Sequence, residues 1–129
     1  MTGSMSSLAT LLLRFEVVVE GLTALFLLAL PGIACAALFG GSEAIGDLAT
    51  RFVGVALLSL VCGCWLGRQH RGGRPALAAF LVYNLLSAIL FLVVGLAGQH
   101  VGFLLWPAAG AHALVTLLLA GVLLRPSPT

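Results

Sequence analysis

Lysine is absent from this chain. All six of its cations are Arg, and charged residues of both signs make up only 8% of its 129 residues. A soluble domain carries about 25% charged residues, so this chain has too few to coat a water-facing surface. The formal net charge of +2 and the lack of a basic stripe give no reason to expect a nucleic-acid partner. The first apolar run does not read as a secretory leader: it has no basic n-region and is interrupted by Arg14, Glu16 and Glu20.

Cysteine is scarce and poorly placed for chemistry. Cys62 and Cys64 form a C-x-C pair, which on a helix points in two directions, and Cys35 lies between different spans. All three read as small apolar packing residues. No Glu-x-x-His pair supports a metal held by Glu16, Glu20 and His112. His100 and His112 sit at different depths on or near one helix, so they cannot both ligate one haem iron. The residues name no cofactor and no metal.

What the chain does contain is apolar sequence. Hydrophobic residues make up 61% of it, with a mean hydropathy of +1.20. A membrane helix needs about 20 apolar residues. Four such stretches fill the chain as one domain: about 8–30, 49–67, 75–97 and 102–124. They are too long and uniform for barrel strands, so the fold class is all-α, a membrane four-helix bundle.

Arg51 ends the connection between spans one and two, which also holds Glu43 and Asp47. The connection between spans two and three holds Arg68, Arg71 and Arg74, and Arg125 closes span four. The positive-inside rule then places both termini in the cytoplasm of a multi-pass inner (plasma) membrane protein. Ser42 is an N-cap candidate, so span two can begin as early as Glu43. The apolar stretch Ile33 to Phe39 is expected in the outer interface. Pro107 either kinks span four or starts its regular part.

Depth along each helix identifies the candidate site. At 1.5 Å per residue, Glu16 lies about 12 Å into span one and Glu20 about 18 Å. Asn84 is about 14 Å into span three, and His112 about 15 Å into span four. Ser59 falls near the same level on span two, so every helix offers a polar group near the midplane. Glu16 and Glu20 share a face, extended by Thr23. His112 and Thr116 share another. Asn84 and Ser87 share a third, beside Tyr83. A charge at the bilayer centre costs roughly 3 kcal/mol or more, which turns these faces inward. Two carboxyl groups one turn apart in a low dielectric do not both ionise readily.

That arrangement suits acid/base chemistry, with Glu20, His112 and Glu16 as the catalytic candidates. Asn84, Tyr83, Arg51 and Trp106 are the candidates for holding a ligand. Arg51 has two readings: an i,i+4 ion pair with Asp47, or a reach inward to Glu20 or a ligand anion. The leading function is binding of a small lipophilic molecule at this buried site, with proton transfer. One alternative is a non-catalytic accessory subunit of a larger membrane complex, its polar groups serving only to join helices. Another is a proton or small-solute transporter working as an oligomer, although no inverted repeat is visible. Expected partners are membrane lipids, the lipophilic molecule, and a second copy or another membrane protein. Gly63-Cys64-Trp65-Leu66-Gly67 is a small-xxx-small match that permits close helix approach, within the bundle or in a dimer.

Arg51-Phe52-Val53-Gly54 opening span two, Tyr83-Asn84-Leu85-Leu86, and Leu105-Trp106-Pro107-Ala108 with His112 form a pattern over most of the chain. It resembles the small four-helix bacterial DoxX-like membrane proteins. The resemblance implies a compact four-span fold. Some relatives are small subunits linked to quinone-dependent oxidation. The redox cysteine motifs of some membrane oxidoreductases are absent here.

Overall fold

The computed structural model describes residues 6–41, 44–68, 73–98 and 101–125. They form five helices: α1 (Ser7–Ala29), α2 (Pro31–Phe39), α3 (Ala44–Gly67), α4 (Arg74–Ala97) and α5 (Leu105–Leu123). Ser42 as an N-cap, Glu43 as a helix start, the 69–72 part of the Arg-rich connection, Gln99, His100 and Pro126 lie outside the described residues.

The all-α expectation holds, with three to four helices long and apolar enough to span a membrane. Three helices are each long and apolar enough to cross a membrane: Gly46–Gly67, Arg74–Ala97 and Leu105–Leu123. The first expected span, 8–30, is α1, and a separate short helix, α2, follows it. α1 and α2 meet at 108°, and they supply a fourth crossing if the bent pair is taken as one span. Pro31 is the reason. Its ring cannot continue a preceding helix, yet its fixed φ suits the first turn of a new one, and it occupies that turn in α2.

Side chains and chain crossings complete the helix ends. Ser6 caps α1, its hydroxyl accepting from the Ala9 amide at 3.2 Å. At the other end of α1 the Arg51 guanidinium donates to the Leu28 carbonyl. Arg74 does the same for α5, donating to the Leu123 carbonyl at 2.7 Å. Both place a cation where the helix dipole is negative. The last carbonyls of α2 are taken by the chain approaching α5. The Gly102 amide donates to Leu38 and the Leu104 amide to Ala37, each at 2.9 Å. This crossing delays the fourth long helix to Leu105, three residues later than the sequence suggests. A Cβ on Gly102 would sit 2.1 Å from the Ala37 carbonyl oxygen, so only glycine fits there.

Pro107 falls in the first turn of α5, where a missing N–H costs no helical hydrogen bond. Of its two expected roles it takes the second, opening the helix.

Packing divides the bundle into two main pairs, α1 with α3 and α4 with α5. At the α1–α3 crossing a Cβ on Gly54 would come within 2.9 Å of the Leu28 side chain and 3.1 Å of the Ala24 carbonyl. Two apolar clusters form the core. The larger lies towards the Arg68/Arg74 end and includes Leu12, Leu13, Val61, Leu77, Phe80 and Leu119. The smaller, towards the other end, joins Ala24, Leu27, Ala34 and Leu57. Glu16, Glu20 and Asn84 are buried between them.

Candidate functional site

Glu16 and Glu20 face inward from α1 because one helical turn separates them, and their face meets α4. Both are almost wholly buried, at 1% and 4% exposure, and Asn84 is at 1%. The Asn84 amide nitrogen donates to the Glu16 carboxyl at 2.6 Å and to the Phe80 carbonyl of its own helix at 3.0 Å. The Asn84 oxygen is 2.7 Å from Nδ1 of His112 on α5. The chain Glu16–Asn84–His112 therefore crosses three helices. Beside it the Tyr83 hydroxyl donates to the Glu20 carboxyl at 3.3 Å.

This network determines its own proton positions. A backbone carbonyl only accepts, so the Asn84 atom facing Phe80 must be the nitrogen. The atom facing His112 is then the oxygen, also an acceptor, and Nδ1 of His112 must carry a hydrogen. In the neutral ring the free lone pair is left on Nε2. Asn84 thus has both N–H groups engaged and holds His112 rather than offering a donor to a ligand.

Aromatic rings fix the imidazole from the sides. Tyr83 meets it edge-on and Phe91 at a tilt, each with ring centroids 5.6 Å away. Phe39 of α2 meets Phe91 at a tilt, with ring centroids 6.4 Å apart. His112 and Tyr83 are only half-buried, so the α4–α5 side of the network is its accessible side. The two carboxyl groups lie deeper and are partnered by uncharged donors.

The structure brings together Glu16, Glu20, Tyr83, Asn84 and His112. It does not bring in Ser59. That hydroxyl bonds back to the Val55 carbonyl at 2.9 Å on an exposed face, so α3 supplies no polar group at this level. Thr116 likewise bonds its own helix, to the His112 carbonyl at 2.8 Å. Arg51 stays exposed and donates to the Leu28 carbonyl, about 12 Å along α1 from Glu20. Trp106 is also apart: its ring lies over Gly95 of α4, where a Cβ would stand 2.9 Å from two ring carbons. Among the described residues no three His, Cys, Asp or Glu side chains cluster as a metal site.

Sequence reasoning missed Phe91 and the Phe80 carbonyl. Phe80, Asn84, Ser87 and Phe91 follow one helical face at spacings of four, three and four residues. That spacing was available, but a Phe within an apolar helix carries no sign that it touches a histidine. No family model matches this chain, and no curated protein or solved structure matches it.

Proposed function

We propose that this is a four-span inner-membrane protein with both ends in the cytoplasm, which binds a small lipophilic molecule at the His112 side of the polar network and exchanges a proton with it. In this reading α1 and α2 form one broken span, with α2 in the outer interface. The observation that carries the reading is the held imidazole. Asn84 accepts from Nδ1–H of His112, so Nε2 is the basic position offered to a ligand from the half-open α4–α5 side. A hydroxyl-bearing head group, such as a phenol or quinol, would lose its proton to Nε2. Glu16, behind Asn84, would stabilise the imidazolium that forms. Glu20, held by Tyr83, is the second proton-holding group beside it. Two buried carboxyl groups are more than helix adhesion requires, since neutral polar side chains join membrane helices at less expense. The segments that resemble DoxX-like proteins include Tyr83, Asn84 and His112 of this same network.

Native mass spectrometry of the protein, extracted gently with its lipids, tests the reading. The expected result is a discrete co-purifying small molecule that is lost in the Glu20→Gln, His112→Ala double variant. The same molecule retained in that double variant would overturn it.

One observation favours the accessory-subunit reading instead. Among the described residues every fully buried side-chain nitrogen or oxygen has a hydrogen-bond partner, as a purely adhesive network requires. That reading predicts loss of a larger assembly on Gly63→Leu, with Glu20→Gln harmless.

A further inference from the structure

A groove of about 440 Å³ runs between α3 and α4, lined chiefly by Ser59, Gly63 and Gly67 on one side and Pro75, Ala76 and Ala79 on the other. Although α3 and α4 are consecutive long helices, they touch far less than α4 and α5 do. The glycines are not there to bring these helices together. A Cβ placed on Gly63 or Gly67 would meet no atom within 4 Å, so the space beside them is vacant.

The wall of this groove is apolar in effect. Its two polar side chains are already bonded to backbone: the Ser59 hydroxyl to Val55, and the Cys64 thiol to the Ala76 carbonyl at 3.7 Å. Its end is the opposite in character. Gly67 and Pro75 adjoin Arg68 and Arg74 in the chain. Arg68 stacks on Trp65 with its guanidinium carbon 3.8 Å from the ring centre and donates to the Trp65 carbonyl. Arg74 donates to Leu123. Each guanidinium has five N–H donors, so most of them remain for another acceptor. Asp47 is at the far end of α3, about 30 Å away along the helix. Glu16 is bonded to Asn84 and Glu20 to Tyr83, about 15 and 14 Å from Arg74 along α4. Among the described residues no carboxylate can therefore neutralise this pair of arginines.

We propose that the α3–α4 groove binds one anionic phospholipid, an acyl chain lying against Gly63 and Gly67 and the phosphate held by Arg68 and Arg74. The charge decides the occupant. Basic pockets between membrane helices select anionic head groups, and an acyl chain asks nothing of a wall with no unmatched polar atom. A second copy of this chain is the wrong partner. Copies share one orientation in the membrane, so a symmetric pair across this groove would set two Arg68/Arg74 clusters side by side at one depth, with like charges opposed.

Native mass spectrometry from mixed micelles tests this, with equal amounts of phosphatidylglycerol and phosphatidylcholine carrying the same acyl chains. Wild type is expected to retain one phosphatidylglycerol in preference. Each arginine near an anionic head group is worth about fivefold, so the Arg68→Gln, Arg74→Gln double variant should lower the ratio of the two lipids by about 25-fold. Gly63→Leu should abolish retention of both, and Gly67→Leu provides a second filled groove. Circular dichroism shows which variants remain helical. A ratio unchanged by the double Arg variant overturns the proposal, and so does lipid retention unchanged in a helical groove-filled variant. A dimer that excludes the lipid and is lost in Gly63→Leu overturns it in favour of a second copy. Displacement by free glycerol phosphate at equal concentration overturns the role of the acyl chain.

Discussion

The seam between α1, α4 and α5 and the seam between α3 and α4 run through the same small bundle and are finished in opposite ways. The first is polar, and its buried groups are paired: Glu16 with Asn84, Asn84 with His112, Glu20 with Tyr83. The second is apolar and left open beside Gly63 and Gly67. The difference follows from the solvent. In a bilayer a polar group without a partner is heavily penalised, so that seam has to be completed by the chain itself. Lipid tails are as apolar as leucine, so an apolar gap can be left for the surroundings to fill.

Four substitutions break or sharpen this contrast, in falling order of effect. Asn84→Leu removes the central member of the polar seam and strands both Glu16 and His112. It should cost about 3 kcal/mol in denaturant unfolding in detergent micelles, since each orphaned buried group loses about 1–3 kcal/mol. Gly54→Leu overfills the tight α1–α3 crossing and should cost about 2 kcal/mol in the same measurement. Tyr83→Phe removes one long hydrogen bond from the edge of the polar seam. Its loss should be about 1 kcal/mol, and a double-mutant cycle with Glu20→Gln should show that the two residues are coupled. Gly63→Ala adds a methyl to open space and should stay within about 0.5 kcal/mol of wild type. If Gly63→Ala proved as damaging as Gly54→Leu, the α3–α4 seam would be closed and the contrast lost. If Asn84→Leu proved neutral, the network would not be joining α1, α4 and α5.

The long helices were readable because lipid-spanning segments announce themselves by length and uniformity. The inward faces of Glu16, Glu20, Asn84 and His112 were readable because polar residues stand out within such segments and a single energetic rule orients them. The end of the first span at Leu30 was readable from Pro31-Gly32. That the next residues form a helix of their own was harder to see, because Ile33 to Phe39 is too evenly apolar to show a face. The partner of Arg51 was beyond reach for a different reason: it is a backbone carbonyl, at Leu28, and every residue has one. Asn84 was singled out as a candidate for holding a ligand, but its commitment to Phe80 and Glu16 depends on how α1 sits against α4. The small residues around Gly63 show the same ambiguity. Glycine permits close contact or leaves a space, and only the neighbouring helix decides which.

The elbow at α2 also affects the order in which the protein can be completed. Ala37 and Leu38 are made well before Gly102 and Leu104, whose amides occupy their carbonyls. Until the last segment is synthesised and seated, that end of α2 lacks its intended donors. The amino-terminal half is thus finished by the carboxy-terminal half. A nascent chain stopped short of residue 101 would present an unfinished elbow to whatever quality control watches the membrane.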